Sequence, residues 1–204
     1  MTAFIWDLDG TLIDSYPVTL LALEATYRHF GLNYDRAYIE QYIIEHSIRQ
    51  LIQDLVAAGQ VAYRPFVDYL KQETAALDGV ILLMPQAKET LQTLQAQGAR
   101  HFIYTHKDNS AYFVLENLGI APYFQEVITI EQGFKRKPDS EAIDYLVAKY
   151  QLDKSNTYYV GDRLLDVEAA KQAGIKSLNL GVASDEGNQR IHTLSDIIDL
   201  VTNK

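Results

Sequence analysis

Two carboxylates near the start of the chain, Asp7 and Asp9, have the residue type and spacing of a cation site. They follow the apolar run of residues 3–6, which is long enough for a buried strand and too short for a helix. Residues two apart in an extended chain share a face, so both carboxylates start on the same side. Gly10 then turns the chain and lets backbone groups approach a ligand. Such carboxylates suit Mg²⁺, which takes oxygen ligands, although a solvated turn after a strand has the same composition.

Further polar residues stand at the ends of other predicted strands. Thr105 follows the apolar run 102–104, Lys137 precedes a proline, and Asp162 follows the run 158–160 with Asp166 one helical turn later. Each has an ordinary explanation, because threonine caps helices, lysine is often a solvated charge, and aspartate is favoured at helix N-termini. Their occurrence together, in this order and at strand ends, is not explained by structural demand alone.

The composition excludes several classes of protein. The chain of 204 residues is 48% hydrophobic and 22% charged, which is typical of a globular domain with room for a small insert. A net charge of −9, with no basic run beyond residues 135–137, argues against a nucleic-acid partner. The absence of cysteine excludes disulfides and thiolate chemistry. No signal peptide precedes the first strand and no apolar run approaches about 18 residues, so we expect a cytoplasmic protein without a membrane segment.

The spacing of apolar residues divides the chain into two kinds of sequence. Between residues 17 and 79 they recur at helical spacing, which predicts a small all-helical insert. From Pro85 onward strands and helices alternate, which predicts a doubly wound parallel sheet that binds ligands at the carboxyl ends of its strands. One strand is predicted at residues 126–130, and Pro138 is predicted to open a helix. Tyr158 and Tyr159 are interpreted as ordinary strand residues.

Four segments together resemble the motifs of the haloacid dehalogenase-like hydrolase superfamily, over essentially all of the chain. The first motif is FDxDGTLxDS, matched by residues 4–15 with one variation, since Trp6 stands immediately before the first aspartate. The others are Thr105 at the second strand end, the pair formed by Lys137 and Pro138, and GDxxxDxxAAxxAG, matched by residues 161–174. One departure is that a second proline, frequent shortly after Lys-Pro in the related phosphatases, is absent here.

The resemblance implies an α/β fold, a Rossmann-like doubly wound parallel sheet core with a small all-helical cap inserted after the first strand. The core is expected to comprise residues 1–15 and 80–204, and the cap residues 16–79. This cap resembles that of phosphoglycolate phosphatase-like and β-phosphoglucomutase-like members. The implied activity is that of a Mg²⁺-dependent phosphoric monoester hydrolase, whose substrate is a small phosphorylated metabolite, phosphoglycolate-like or a sugar phosphate.

The resemblance also implies roles for individual residues. Asp7 would be the nucleophile that forms an aspartyl phosphate, and Asp9 would protonate the leaving oxygen and later deprotonate water. Asp7 and Asp162 would bind Mg²⁺ through their carboxylates, and Asp9 through its backbone carbonyl. Thr105 and Lys137 would bind the transferring phosphate and neutralise its charge.

Five further residues are candidates for supporting roles. Gly10 and His106 would line the phosphate site, although His106 is equally well interpreted as a solvent-facing residue. Thr11 and Asp166 would support the metal site, with Asp166 orienting a metal-bound water or the active-site lysine. Arg49, in the helical insert, would grip an anionic group of the substrate, and an exposed helical arginine is the alternative.

Other interpretations remain open from the sequence. A sugar-phosphate mutase would use the same aspartyl phosphate, but the mutase-like members tend to carry valine at the position of Thr11. A dehalogenase needs no metal, which would leave Asp9 and Asp162 without a role. The intact motifs disfavour a phosphate-binding regulatory protein without turnover. Lys135 is a weaker rival of Lys137, and nothing in the sequence specifies the substrate or the oligomeric state.

Overall fold

The computed structural model describes residues 1–202, and the chain divides into two compact units. The first, here called the sheet unit, comprises Met1–Asp14 and the chain from Leu82 onward. The second, here called the helical unit, is Ser15–Ile81. Among the described residues, no helix is both long enough and apolar enough to cross a membrane.

The central feature of the sheet unit is a six-stranded sheet with the order β5-β4-β1-β6-β7-β8, in which every neighbouring pair is parallel. The strands are β1 (Ala3–Trp6), β2 (Ile13–Asp14), β3 (Leu82–Leu83), β4 (Arg100–Tyr104), β5 (Phe124–Ile128), β6 (Thr157–Gly161), β7 (Lys176–Asn179) and β8 (Asn188–Arg190). Because β1 lies between β4 and β6, the carboxyl ends of these three strands are adjacent. β2 and β3 pair antiparallel, with Asp14 opposite Leu82, where the chain leaves and re-enters the sheet unit.

Helices follow the strands of the sheet unit and make up most of the helical unit. In chain order they are α1 (Tyr16–His29), α2 (Arg36–Glu45), α3 (Ile48–Ala57), α4 (Tyr63–Leu77), α5 (Ala87–Ala96), α6 (Ser110–Asn117), α7 (Glu141–Tyr150), α8 (Leu164–Gln172) and α9 (Asp196–Thr202). One face of the sheet, including Ile5 and Phe102, packs against α7 and α8 in a single buried cluster. Phe4, on the opposite face, stacks on Tyr158, so the central strand is buried on both sides as is usual in parallel sheets.

The helical unit has a hydrophobic core of its own. Residues from all four of its helices form one buried cluster, in which Leu23 of α1 packs with Ile39, Leu51 and Phe66 of the other three. Side chains cap two of the four helices: the Asp35 carboxylate accepts the Tyr38 N–H at 3.1 Å before α2, and the Ser47 hydroxyl accepts the Gln50 N–H at 3.0 Å before α3. The apolar face and the caps together explain why this segment is helical.

The predicted α/β fold, with a parallel doubly wound sheet and a helical segment after the first strand, is confirmed. Some boundaries were wrong. The strand expected at residues 126–130 is Phe124–Ile128, and Pro138 lies in a turn, so α7 begins only at Glu141. The helix starts late because the Asp139 carboxylate accepts the Glu141 N–H at 3.0 Å and so caps the chain at that point. The short strands β2, β3 and β8 were not predicted.

A buried polar pair links β1 to β4 inside the sheet unit. The indole N–H of Trp6 donates to Nδ1 of His101 at 3.0 Å, and both side chains are fully buried. The ring of Phe4 stacks on that of His101 with centroids 5.8 Å apart. Burial lowers the pKa of His101 from 6.5 to about 4, and the backbone of Leu91 offsets only part of that effect.

His101 should therefore make folding stability depend on pH. Its pKa is lower in the folded state, so the unfolded state binds the proton more readily, and stability is lost as the pH falls from 6.5 toward about 4. Between about pH 7.5 and about pH 5 we expect this histidine to cost about 2 kcal/mol of unfolding free energy. Urea unfolding should show a loss over this pH range that is about 2 kcal/mol smaller in His101→Gln than in the wild type and in His192→Gln, whose histidine is exposed. Parallel pH profiles for His101→Gln and wild type would contradict this assignment.

Candidate active site

The candidate site lies at the carboxyl ends of β4, β1 and β6, where the sheet order brings Asp7, Thr105 and Asp162 together. The Asp7 N–H donates to the Val160 carbonyl at 2.8 Å, and the Thr105 N–H donates to the Ile128 carbonyl at 2.9 Å. Each residue thus extends the hydrogen-bonding pattern of its strand by one position. The backbone that carries these side chains is consequently as rigid as the sheet.

Asp7 is only 7% exposed, and one of its oxygens is already engaged. Its Oδ1 accepts the Leu8 N–H at 2.8 Å and lies 3.0 Å from Nζ of Lys137. Burial raises the pKa of Asp7 well above its ordinary value; Lys137 lowers it, while Asp166, Asp162 and Asp9 raise it further. A carboxylate in these surroundings needs additional positive charge to stay ionised.

Lys137 is the buried cation of the site, with its ammonium 2.6 Å from Oδ1 of Asp166 and 3.0 Å from Oδ1 of Asp7. Nζ also donates to the Tyr159 hydroxyl at 3.0 Å and lies over the rings of Tyr104 and Tyr159. Burial alone would lower the pKa of Lys137, but the two carboxylates raise it well above its ordinary value. The rival Lys135 has an exposed side chain paired with Asp139, so Lys137 is the one of the two that contacts Asp7 and Asp166.

Asp166 is fully buried, and both of its carboxylate oxygens have partners. Oδ1 contacts the ammonium of Lys137, and Oδ2 accepts the N–H of Arg163 at 3.0 Å. The carboxylate packs against Gly161, where a Cβ would lie 2.5 Å from it. Asp166 therefore holds the lysine in place.

Asp162 is positioned by residues from two other loops. Its Oδ1 accepts a hydrogen bond from the Thr11 hydroxyl at 3.1 Å. Gly181 lies against the Asp162 backbone, since a Cβ there would stand 2.3 Å from the Asp162 carbonyl oxygen. The buried Asn179 donates to the Arg163 carbonyl at 3.1 Å and accepts the Gly181 N–H at 2.9 Å, which ties the two loops together.

The donor set fits a divalent cation. Oxygen atoms of Asp7, Asp162 and Asp166 all lie within 4.8 Å of one another, and hard cations such as Mg²⁺ prefer carboxylate oxygens. Because both oxygens of Asp166 have partners, Asp7 and Asp162 are the better ligands. Asp9 is half-buried and outside this trio, although its charge contributes to the raised pKa of Asp7.

The remaining predicted residues are Gly10, Thr105, His106 and Arg49. Gly10 has a φ of 77°, and its N–H donates to the Ile13 carbonyl at 2.9 Å, so it makes the predicted turn. The Thr105 hydroxyl accepts the Lys107 N–H at 3.1 Å, and His106 accepts a hydrogen bond from the loop that follows β5. Arg49 belongs to the helical unit, where it is exposed on α3.

Comparison with known proteins identifies the family. The family model of the haloacid dehalogenase-like hydrolases matches residues 4–180. The chain belongs to this family. It is 31% identical over 198 residues to a phosphoglycolate phosphatase of Vibrio parahaemolyticus, an alignment that covers 89% of this chain and 84% of that protein.

Two solved hydrolase structures agree with the fold. A hydrolase from Streptococcus pneumoniae is 30% identical with a TM-score of 0.67, and the match covers 97% of this chain and 98% of that one. A subfamily IA hydrolase from Geobacter sulfurreducens is 20% identical with a TM-score of 0.80, covering 98% and 96% of the two chains. The predictions of the family and of an enzyme, a phosphoric monoester hydrolase, are confirmed.

Three residues of this candidate site were not predicted from the sequence: Tyr159, Asn179 and Gly181. Tyr159 was interpreted as a strand residue, yet its hydroxyl binds the ammonium of Lys137 and donates to the Tyr104 carbonyl at 2.9 Å. A signal was present, because a buried tyrosine in an otherwise apolar parallel strand requires a hydrogen-bond partner. Asn179 and Gly181 carried no comparable signal, since their partners are backbone groups of a distant loop.

Gly181→Ala should reduce turnover without unfolding the protein. The added Cβ would collide with the Asp162 carbonyl oxygen and so displace the whole residue, including its carboxylate. A displacement near 1 Å in an enzyme site can lower the rate by about 100-fold. We therefore expect kcat/KM for an aryl phosphate to fall by about 100-fold with an unchanged far-UV circular dichroism spectrum. Gly79→Ala is the matched control, because a Cβ there has no neighbour within 4 Å. Equal rates for the two variants would show that the close approach of Gly181 does not position Asp162.

Proposed function

We propose that the protein is a Mg²⁺-dependent phosphatase that hydrolyses a small phosphorylated metabolite through an aspartyl phosphate on Asp7. The observation that carries the proposal is the contact of Oδ1 of Asp7 with the ammonium of Lys137, 3.0 Å away, beside the carboxylate of Asp162. This arrangement combines a nucleophile, a fixed positive charge and a candidate cation site at one strand end. Membership of a hydrolase family with phosphatase members supports the same chemistry.

In the first step, we propose that Oδ2 of Asp7 attacks phosphorus, because both observed hydrogen-bond contacts of this carboxylate fall on Oδ1. The P–O bond to the leaving group breaks, and Asp9 gives that oxygen a proton. Lys137 and the Thr105 hydroxyl bind the phosphoryl oxygens. Asp7, Asp162 and the backbone carbonyl of Asp9 would hold Mg²⁺, whose charge offsets the repulsion between carboxylate and phosphate.

In the second step, the carboxylate of Asp9 takes a proton from water as the water attacks the phosphorus of the aspartyl phosphate. The P–O bond to Asp7 breaks, which releases phosphate, restores the Asp7 carboxylate and leaves Asp9 protonated for the next cycle. Asp9 suits this double role because it stands outside the trio of carboxylates and is more exposed than Asp7. Asp166 keeps Lys137 in position throughout both steps.

The helical unit is proposed to act as a cap that selects the substrate. The relative in Vibrio parahaemolyticus is a phosphoglycolate phosphatase, which supports a small anionic substrate such as phosphoglycolate or a sugar phosphate. Arg49 is the candidate for binding the remote part of that substrate, since it is exposed on α3. The absence of a nucleic-acid partner and a cytoplasmic location remain predictions from composition.

The two aspartates of the first motif should fail at different steps. Asp7→Asn removes the nucleophile, so no phosphoryl-enzyme should form and turnover should fall to background. Asp9→Asn keeps the nucleophile, so an activated aryl phosphate should phosphorylate it measurably, and hydrolysis should then be slow. Rapid-quench mass spectrometry of the peptide that contains Asp7 measures both effects, with Asp14→Asn, an exposed acid, as the control. Phosphate that accumulates in Asp7→Asn but not in Asp9→Asn would reverse the roles.

Removal of divalent metal should abolish hydrolysis, and Mg²⁺ should restore it. We expect Ca²⁺ to restore little activity, because it tolerates additional ligands and a looser geometry around the nucleophile. Steady-state rates after dialysis against a chelator and readdition of each ion test this point. Full turnover in excess chelator would remove the metal from the mechanism.

Arg49→Ala should raise KM for the preferred phosphorylated metabolite more than it changes hydrolysis of an aryl phosphate. The reason is that Arg49 is proposed to bind a remote group and not the transferring phosphoryl group. Arg64→Ala, another exposed arginine of the helical unit, is the matched control. Equal effects on both substrates, or none, would leave Arg49 as an ordinary surface residue.

A further inference from the structure

The segment that carries Lys137, residues 133–140, lies outside helices and strands, and side chains hold its backbone. The Tyr104 hydroxyl donates to the Lys135 carbonyl at 2.8 Å, and the Glu141 carboxylate accepts the Lys135 N–H at 2.7 Å. The third contact is to the lysine itself, since Nε2 of His106 accepts the Lys137 N–H at 3.0 Å. Two of these three side chains come from the carboxyl end of β4.

We propose that His106 is a positioning residue, which holds the backbone of Lys137 where the ammonium group reaches Asp7 and Asp166. This inference rests on the proposed function, in which the lysine acts on the transferring phosphate. It gives His106 a different role from the direct phosphate contact expected from the sequence. The imidazole would act on the phosphate through Lys137.

The ammonium group and the backbone amide of Lys137 are both connected to the carboxyl end of β4. The ammonium binds the Tyr159 hydroxyl, which donates in turn to the Tyr104 carbonyl at 2.9 Å. The amide binds His106, two residues after Tyr104, and the two rings meet edge to face at 6.1 Å. The Lys137 side chain is almost completely buried, so bulk water could not replace a lost contact of the ammonium group.

The contact requires a neutral imidazole with its proton on Nδ1, because Nε2 is the acceptor. Burial lowers the pKa of His106 to about 2, and the nearby charges of Lys137, Arg136 and Arg163 lower it in the same direction. His101, in the same strand region, must have the opposite tautomer, because there Nδ1 accepts from Trp6. The buried His101 and the half-buried His106 thus provide an internal comparison.

The kinetic test compares His106→Leu, which has no acceptor, with His106→Gln, whose amide oxygen can reach the position of Nε2. We expect His106→Leu to lower kcat for an aryl phosphate by about 10–100-fold with KM changed by less than about threefold. His106→Gln should recover most of that loss, and His192→Leu, at an exposed histidine, should have no effect. A loss confined to KM, or no recovery in His106→Gln, would overturn the proposal.

A double-mutant cycle separates positioning through Lys137 from a general structural effect. If His106 acts through the lysine, His106→Leu should change the residual rate of Lys137→Met by less than about twofold. Additive losses in the double variant would overturn the proposal. Full turnover by Lys137→Met would overturn both the proposed role of the lysine and the positioning role derived from it.

The tautomer is measured independently of activity, in the metal-free enzyme, by two-dimensional NMR of ¹⁵N-labelled imidazoles. From about pH 5 to about pH 8 we expect a histidine with an Nδ1 proton that does not titrate, absent in His106→Gln and distinct from the Nε2-protonated His101. An Nε2 proton on His106, or titration near an ordinary pKa, would overturn the contact itself. That result does not depend on the proposed function, so the two failures are distinguishable.

Discussion

The buried ion pair of Lys137 with Asp166 and Asp7 is the interaction on which the active site depends. Burial of an ammonium group costs several kcal/mol, which only well-placed anions and hydrogen bonds offset. Here the ammonium has one carboxylate at 2.6 Å and another at 3.0 Å. Burial raises the pKa of Asp7, and the same contact lowers it and so favours the charged carboxylate. Loss of the lysine would therefore also disfavour the charged state of Asp7, the proposed nucleophile.

The sheet makes this cluster possible because it fixes the positions of the residues that contact Lys137. Asp7 continues β1, Tyr159 lies in the adjacent β6, and Asp166 lies in the first turn of α8. The absence of a side chain at Gly161 lets the carboxylate of Asp166 pack against the end of β6. The charged groups of Asp7, Lys137 and Asp166, which are far apart in the sequence, are thus brought together by the strand order, by Gly161 and by the start of α8.

Residues that act at a strand end were predictable, and residues that act through tertiary contacts were not. Asp7, Thr105 and Asp162 follow apolar runs, and such runs predict both the strand and the edge where it ends. The role of Tyr159 depends on a lysine that arrives from another loop, and no pattern within β6 indicates that partner. Pro138 was predicted to open α7 because proline is common in a first helical turn, but the Asp139 side chain competes for the amide that would begin the helix.

The antiparallel pairing of β2 with β3 has a consequence for how this chain can change. Because Asp14 and Leu82 are neighbours in that pairing, the residues between them form an insertion whose two ends are held together by the sheet unit. The entropic cost of bringing the ends of such an insertion together grows only with the logarithm of its length. The helical unit also has its own hydrophobic core. Insertions, deletions or replacements between Asp14 and Leu82 can therefore accumulate, while the residues at the strand ends stay under separate selection.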